Sequence, residues 1–520
     1  LLAGGGTAFA QRARIEAVAG EPFGVGRIIM PASAATPGDP WADGRIDVIE
    51  RNGRVLYPVL VDGPVRQLFR QFLQIRRNIV VHFLFTGSEP LDITATVPDA
   101  VPIQIRPAPY HPGLHRGLLS AWWREYSRSA QQRARSGEYP GVIDNYLTST
   151  LARRLSLPPP NLEVRKLLSL QPPPDDGLEL LLGTERMKGK IQRRALLVSG
   201  SSSAAPLLPL PPEPAWPLAQ FPPVEGEVEI EPMAQFVPET FYYLRTGTYA
   251  NYVWMQEIMD EWDDVKNMIT ERGVDHRIND KTERLLGLED TKLSRMFGGT
   301  IISDVAFVGT DPFFEEGPAM GMLFEAKSNL LVAQSLAKQR SDAAARENGR
   351  AVETTVDVDG RQVSYFYTPD GALRSYYVTA GDYHLVATSR EMVRQFLTVA
   401  NAKGAGSLGA SAGYKYARSQ FPVSRNDTLF LYLSDAFFRQ LAAPQYRVEM
   451  ARRLRSVTEM QSLRLARLAA ASEGLPGKNV DELIRADMLP DGFGVRADGS
   501  RIALTDDGRM VDSLRGTPGL

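Results

Sequence analysis

The sequence predicts an α+β protein, and three observations carry that reading. Val352, Thr354, Val356 and Val358 alternate with Glu353, Thr355, Asp357 and Asp359, the period-2 signature of a strand. The turn dipeptides Asp359-Gly360, Asp370-Gly371 and Gly381-Asp382 then break residues 352–388 into an antiparallel meander. Segments with apolar residues at helical spacing, 328–347 and 390–400, stand on either side of it.

Taken in order, residues 11–165 read as a mainly β domain with two helices. Residues 45–50 and 55–60 flank Asn52-Gly53, which predicts a hairpin with a type I′ turn. Val65–Leu73 has the spacing of a short amphipathic helix. Asn78–Phe85 is rich in β-branched and aromatic residues and reads as a buried strand. Helices follow at roughly 112–135 and 140–156. Residues 166–225 form a linker region. Its positions 206–223 hold eight prolines, and proline removes backbone donors and favours an extended chain.

Residues 226–440 read as an α+β domain: a strand near 240–245, a helix from 249 to about 270, strands at 300–309 and 319–326, a helix at 328–347, the meander, and a closing helix. Residues 441–520 combine a long Arg-rich helix, 442–473, with an irregular tail carrying one short helix near 479–487.

Composition narrows the chemistry. The chain has 520 residues, no cysteine, five histidines and a net charge of −2. That length predicts about two to four domains. Thiol nucleophiles, Cys-ligated metals and disulfides are excluded. The near-zero charge argues against a chain built for nucleic acid. No run of ~18 apolar residues predicts a membrane-spanning helix. Ala8-Phe9-Ala10 follows a small-residue apolar stretch and matches an A-x-A signal-peptidase site. Residues 1–10 are therefore expected to be the remnant of a signal peptide, with the mature protein starting near Gln11 and the natural chain longer than this sequence. The expected location is outside the cytoplasm, periplasmic or extracellular.

Catalytic signals are weak. Gly409-Ala410-Ser411-Ala412-Gly413 matches a nucleophile elbow, but a helix precedes it and no histidine follows His384. Ser335-Leu336-Ala337-Lys338 has a serine and lysine at helical spacing inside an amphipathic helix. His111 and His115 stand one helical turn apart, as metal ligands can. Pro112, however, suits the first helical position and leaves His111 as a cap. His82, in an apolar strand, reads as a satisfied core histidine, His384 alternates onto a sheet face, and His276 sits in a polar connector. Of Trp122 and Trp123, one is expected in the core and the other at its rim. No catalytic residue, cofactor or metal ligand is assigned.

Two features read as contact surfaces. Asp311, Phe313, Phe314, Glu315 and Glu316 place aromatics and acids on one loop; the bland alternative tucks the Phe rings into the core. Arg452, Arg453 and Arg455 lie on the long helix, where snorkelling over a packed face is the bland alternative.

Phe241–Arg245, Leu285-Leu286-Gly287-Leu288 with Leu293, Tyr376-Tyr377-Val378 with Gly381–Ser389, and Ser407-Leu408 with Thr428–Leu433 together resemble a bacterial extracytoplasmic domain family of unknown function. The two ends of the chain look like large, uncharacterised exported proteins of planctomycete type. The resemblance implies a location and a fold and assigns no site residue. The expected function is binding or scaffolding in the cell envelope, with a protein or polysaccharide partner. The alternative is a carboxylate-dependent extracytoplasmic hydrolase; a paired-carboxylate glycosidase would need two acids ~5–9.5 Å apart.

Overall fold

The computed structural model describes residues 14–31, 47–61, 78–97, 99–136, 141–160, 184–197, 209–261 without 214, 218, 219 and 225, 278–288, and 298–495 without 311–312, 314–317, 370 and 426, together with short strands at 503–504 and 510–511. The Ala8–Ala10 pattern, the helix expected at 65–73 and His276 lie outside the described residues. The fold is α+β, with a mainly β N-terminal region. It divides into two compact units.

The first unit comprises residues 1–167, 196–198 and 463–491. Its strands are β1 (Arg14–Val18), β2 (Gly24–Pro31), β3 (Asp47–Glu50), β4 (Val55–Leu60), β5 (Asn78–Phe85), β6 (Leu91–Val97) and β7 (Asp99–Ile105). They form a four-stranded sheet ordered β1-β2-β5-β4 and a three-stranded sheet ordered β3-β6-β7, both antiparallel. Strand alternation explains the layering. Val81, Phe83 and Phe85 point into a core shared with Ile93 and Ile103 of the smaller sheet. Leu84 points the other way, into a core with Trp122, Tyr126 and Leu151. Those last residues come from helices α1 (Pro112–Ser136) and α2 (Gly141–Arg154).

The structure departs from the sequence pattern at two points. β3 and β4 do not form a hairpin: β3 pairs with β6, and β4 pairs with β5. At the turn only Gly53 takes a positive φ, +71°, whereas a type I′ turn needs two such residues. The Glu50 carboxylate instead accepts the backbone N–H of Asn52 and of Arg54, and it pairs with the Arg54 side chain at 3.0 Å. This closes a local loop that leaves the strands free to enter different sheets. Trp122 and Trp123 are both buried. Trp122 Nε1 donates to the Tyr57 carbonyl at 2.9 Å and Trp123 Nε1 to the Pro158 carbonyl at 3.0 Å, so each indole has an acceptor and neither needs the rim.

His82 sits on the helix-covered face of β5, opposite Arg27 of β2 and Val59 of β4. Its Nδ1 is buried with no hydrogen-bond partner among the described residues. Burial holds its pKa down to about 4, with repulsion from Arg27 and Arg124 adding to this and Glu16 opposing it. The unfolded chain titrates near 6.5, so it binds the proton first as pH falls. The stability of this unit is therefore full above pH ~6.5 and declines until the folded imidazole itself protonates near pH 4. The loss amounts to about 3 kcal/mol. His82→Leu is expected to remove that component. The check is the difference between the two proteins' unfolding free energies across this pH window; parallel pH profiles would refute the assignment.

The second unit comprises residues 168–195, 199–462 and 492–520. Its eight-stranded antiparallel sheet contains β8 (Tyr242–Arg245), β9 (Ile302–Gly309), β10 (Met320–Ala326), β11 (Val352–Val358), β12 (Arg361–Tyr367), β13 (Arg374–Ala380), β14 (Tyr383–Ala387) and β15 (Phe430–Tyr432). The order is β11-β12-β13-β14-β10-β9-β8-β15. After β10 the chain crosses to the far edge and returns through the meander, so β14 closes against β10. Helix α3 (Thr184–Leu197) precedes the sheet in sequence. Helices α4 (Tyr249–Glu261), α5 (Ile278–Leu286) and α6 (Asn329–Arg346) supply the core on one face, with Tyr252, Leu286 and Val332 packed on Val305 and Met322. On the other face α7 (Arg390–Asn401) and α8 (Ala412–Gln420) bring Phe396 and Tyr414 onto Ala306, Val308 and Leu385. Helices α9 (Asp435–Ala442), α10 (Pro444–Ser472) and α11 (Val480–Arg485) follow β15. Residues 441–520, read from sequence as one region, are shared between the units, the break falling inside α10 after Ser462.

Candidate functional site

A cavity in the second unit lies between α4, α5, α6 and the sheet, with a volume of about 480 Å³. Its geometry follows from strand alternation. Phe307, Met322 and Phe324 project from β9 and β10 toward the helices, while Ala306, Val308 and Leu323 project into the opposite core. Tyr249 and Tyr252 of α4 and Leu336 of α6 complete an apolar floor. Gln256, Gln334, Gln339, Lys338 and Asp342 supply polar groups around it. Lys338 Nζ donates to the Asp342 carboxylate at 3.2 Å. Gly298 is required against this wall: a Cβ there would stand 2.1 Å from the Tyr249 ring.

On the same sheet face, His384 is spoken for at both ring nitrogens. Asn329 Nδ2 donates to Asp382 at 2.8 Å, which turns Asn329 Oδ1 toward His384 Nε2, also at 2.8 Å. An amide oxygen only accepts, so Nε2 carries the proton and Nδ1 accepts from the Tyr377 hydroxyl at 2.8 Å. Burial lowers the pKa of His384, with Asp382 opposing, which agrees with a neutral ring. The chain Tyr377–His384–Asn329–Asp382 fixes α6 to β13 and β14 and leaves no imidazole nitrogen for substrate.

The other candidate motifs resolve into local structure. Ser411 Oγ accepts from Tyr414 N–H and caps α8. Ser335 lines the apolar cavity, while its motif partner Lys338 is paired with Asp342. His111 Nδ1 accepts from Leu114 N–H at 3.3 Å as a cap, and His115 Nε2 lies 2.9 Å from the Phe23 carbonyl. Among the described residues no group of three or more His, Asp or Glu side chains could hold a metal, and no helix is long and apolar enough to cross a membrane.

Of the acidic-aromatic loop, Asp311, Phe314, Glu315 and Glu316 lie outside the described residues. Phe313 is 5% exposed and packs with Tyr242, Phe437, Tyr446 and Leu454. It is therefore a core residue. Arg453 is buried and Glu449 accepts from its Nε at 3.2 Å; burial lowers its pKa to about 10. Arg452 also pairs with Glu449, and the more exposed Arg455 pairs with Glu459 at 2.8 Å. These arginines thus balance acids on their own helix. The cavity escaped the sequence reading because its floor residues carry the same apolar signal as a filled core.

No family model, curated protein or solved structure matches this chain.

Proposed function

We propose that the protein is an exported, non-enzymatic binding protein of the cell envelope, and that its second unit takes an apolar or amphiphilic small molecule in the cavity beside α6. The observation that carries this reading is the cavity's composition: an aromatic and aliphatic floor with a few polar groups around it, the usual make-up of a ligand pocket. Export rests on the Ala8-Phe9-Ala10 pattern. Binding is favoured over hydrolysis because Asp342, one of the acids lining the cavity, is already paired with Lys338.

The test is titration of the full chain with decanol, dodecanoate and hexadecanoate, followed by calorimetry. At least one should bind, and Ser335→Trp, which fills the cavity from half-buried α6, should weaken that binding by about tenfold or more, equivalent to ~1.4 kcal/mol. Absence of binding by all three probes, or equal binding by the variant, would defeat the proposal. Hydrolysis of a dodecanoyl ester, lost in Ser335→Trp, would replace it with the hydrolase. Fractionation of cells expressing the full gene tests the location: a cytoplasmic product would sink it.

A further inference from the structure

A second, smaller cavity lies at the corner between α9 and α10. Ser434 caps α9, its Oγ accepting from Phe437 N–H and donating to the Glu239 carbonyl. Helix α9 ends at Ala443, whose extended backbone (φ −61°, ψ 138°) turns the chain. Pro444 then opens α10, at a position where a missing N–H costs nothing. With Thr240, this corner lines about 280 Å³.

Arg439 of α9 lines that space. Its Nε is buried with no hydrogen-bond acceptor, and its guanidinium has no hydrogen bond, ion pair or ring contact among the described residues. The side chain as a whole is only half-buried, but a native fold rarely leaves a buried charged donor such as this Nε without an acceptor. The side-chain amides of Gln440 and Gln445 line the same cavity and are likewise without partners among the described residues. Helix α10 has no acidic residue in its first turn, and Ala443 has no side-chain oxygen with which to cap it. The positive end of α10 therefore adds to the field of Arg439, offset in part by the negative C-terminal end of α9 at the same corner.

Two carboxylates bound the chemistry. Glu449 lines the cavity but is taken up by Arg452 and Arg453. Glu213 is exposed and has no cation among the described residues. A dianion would satisfy Arg439 but meet Glu213. A molecule carrying one carboxylate and one ammonium satisfies both. The volume lies just below the ~300 Å³ at which drug-sized ligand sites begin, which suits only a small molecule.

We propose that this corner binds a small zwitterion of the amino-acid or short-peptide type, its carboxylate on Arg439 and its ammonium toward Glu213. This cavity is separate from the apolar one, and neither proposal depends on the other.

Calorimetry on the full chain with alanylalanine, propionate and inorganic phosphate tests it. Alanylalanine should bind, with propionate and phosphate each weaker by about tenfold or more. Arg439→Gln should abolish alanylalanine binding without lowering the ligand-free thermal midpoint, because it removes a cation that has no partner among the described residues. Glu213→Gln should bring alanylalanine down to the level of propionate. Gln445→Glu, on an exposed side chain, should weaken binding by about tenfold through repulsion alone, and it keeps the test open if Arg439→Gln folds poorly. Absence of binding by every probe at ~10 mM, a Kd range that corresponds to under ~3 kcal/mol of binding energy, would overturn the site. Unchanged binding by Arg439→Gln or by Gln445→Glu would also overturn it. Phosphate binding tighter than alanylalanine would overturn the zwitterion assignment.

Discussion

Replacing Glu231 with Gln is expected to destabilise the second unit by about 3–5 kcal/mol, the usual cost of leaving one member of a buried ion pair alone. Glu231 and Arg418 are each almost wholly buried. Arg418 Nε donates to Glu231 Oε2 at 3.0 Å, and Nη2 donates to the other carboxylate oxygen. The same oxygen accepts from the Tyr414 hydroxyl at 2.5 Å and the Tyr243 hydroxyl at 3.3 Å. The guanidinium carbon lies 3.6 Å from the Phe430 ring centroid. Burial alone would raise the Glu231 pKa, but the hydrogen bonds from Arg418 and Tyr414 outweigh it and hold the carboxyl below its usual value. The pair therefore contributes fully above the ordinary carboxylate range, and its contribution declines as pH falls through the lowered value. A neutral amide at position 231 leaves Arg418 charged and out of water. Glu231→Gln combined with Arg418→Met should recover much of the loss, since the double variant removes both charges. Hydrogen exchange of peptides covering β8 and α8 reads the effect in this unit. A single variant within ~1 kcal/mol of the parent would contradict the burial argument.

Glu473→Leu is expected to cost the first unit a similar ~3–5 kcal/mol. Its carboxylate receives Arg154 through two bonds, at 2.7 and 2.9 Å, and the Tyr57 hydroxyl at 2.5 Å. The Arg154 and Glu473 side chains are 5% and 2% exposed, so water cannot replace the lost partner. Tyr57 also carries strain: it holds φ at +49° beside the β4 irregularity. Losing its hydroxyl acceptor removes one of the contacts that hold this backbone in place. Hydrogen exchange in β4 and α2 should rise in Glu473→Leu while the second unit's sheet stays protected. Equal change in both units would refute a local role.

What could be read from sequence was local. The meander was legible because Val352–Val358 repeats at the strand period, and because Asp359 and Gly360 both take positive φ, +50° and +83°, as their residue types favour. Helix starts were legible at α7 and α11, where Ser389 and Asn479 cap the first turn. Partner choice was not legible. Asn52-Gly53 marks a turn wherever its strands go, and β3 went to β6. Nothing local marks Arg418 as the partner of Glu231, 187 positions away. The loop at 311–316 looked like a contact surface because sequence shows aromatics and acids together but not which way Phe313 turns. Arg439 looked like any other arginine on an amphipathic helix, because its lack of a partner among the described residues is a property of the corner and not of the residue.

The first unit's composition from distant segments has a consequence in time. Arg154 and Glu473 are 319 positions apart, and Tyr57 and Glu473 are 416 apart. At synthesis rates of ~5–20 residues per second, Arg154 waits roughly 15–65 seconds for its partner to be made. Throughout that interval the β-rich first segment exists with a buried-type cation uncovered, while the whole eight-stranded sheet is still being synthesised. The last piece to arrive, rather than the first to be made, sets when this unit is finished.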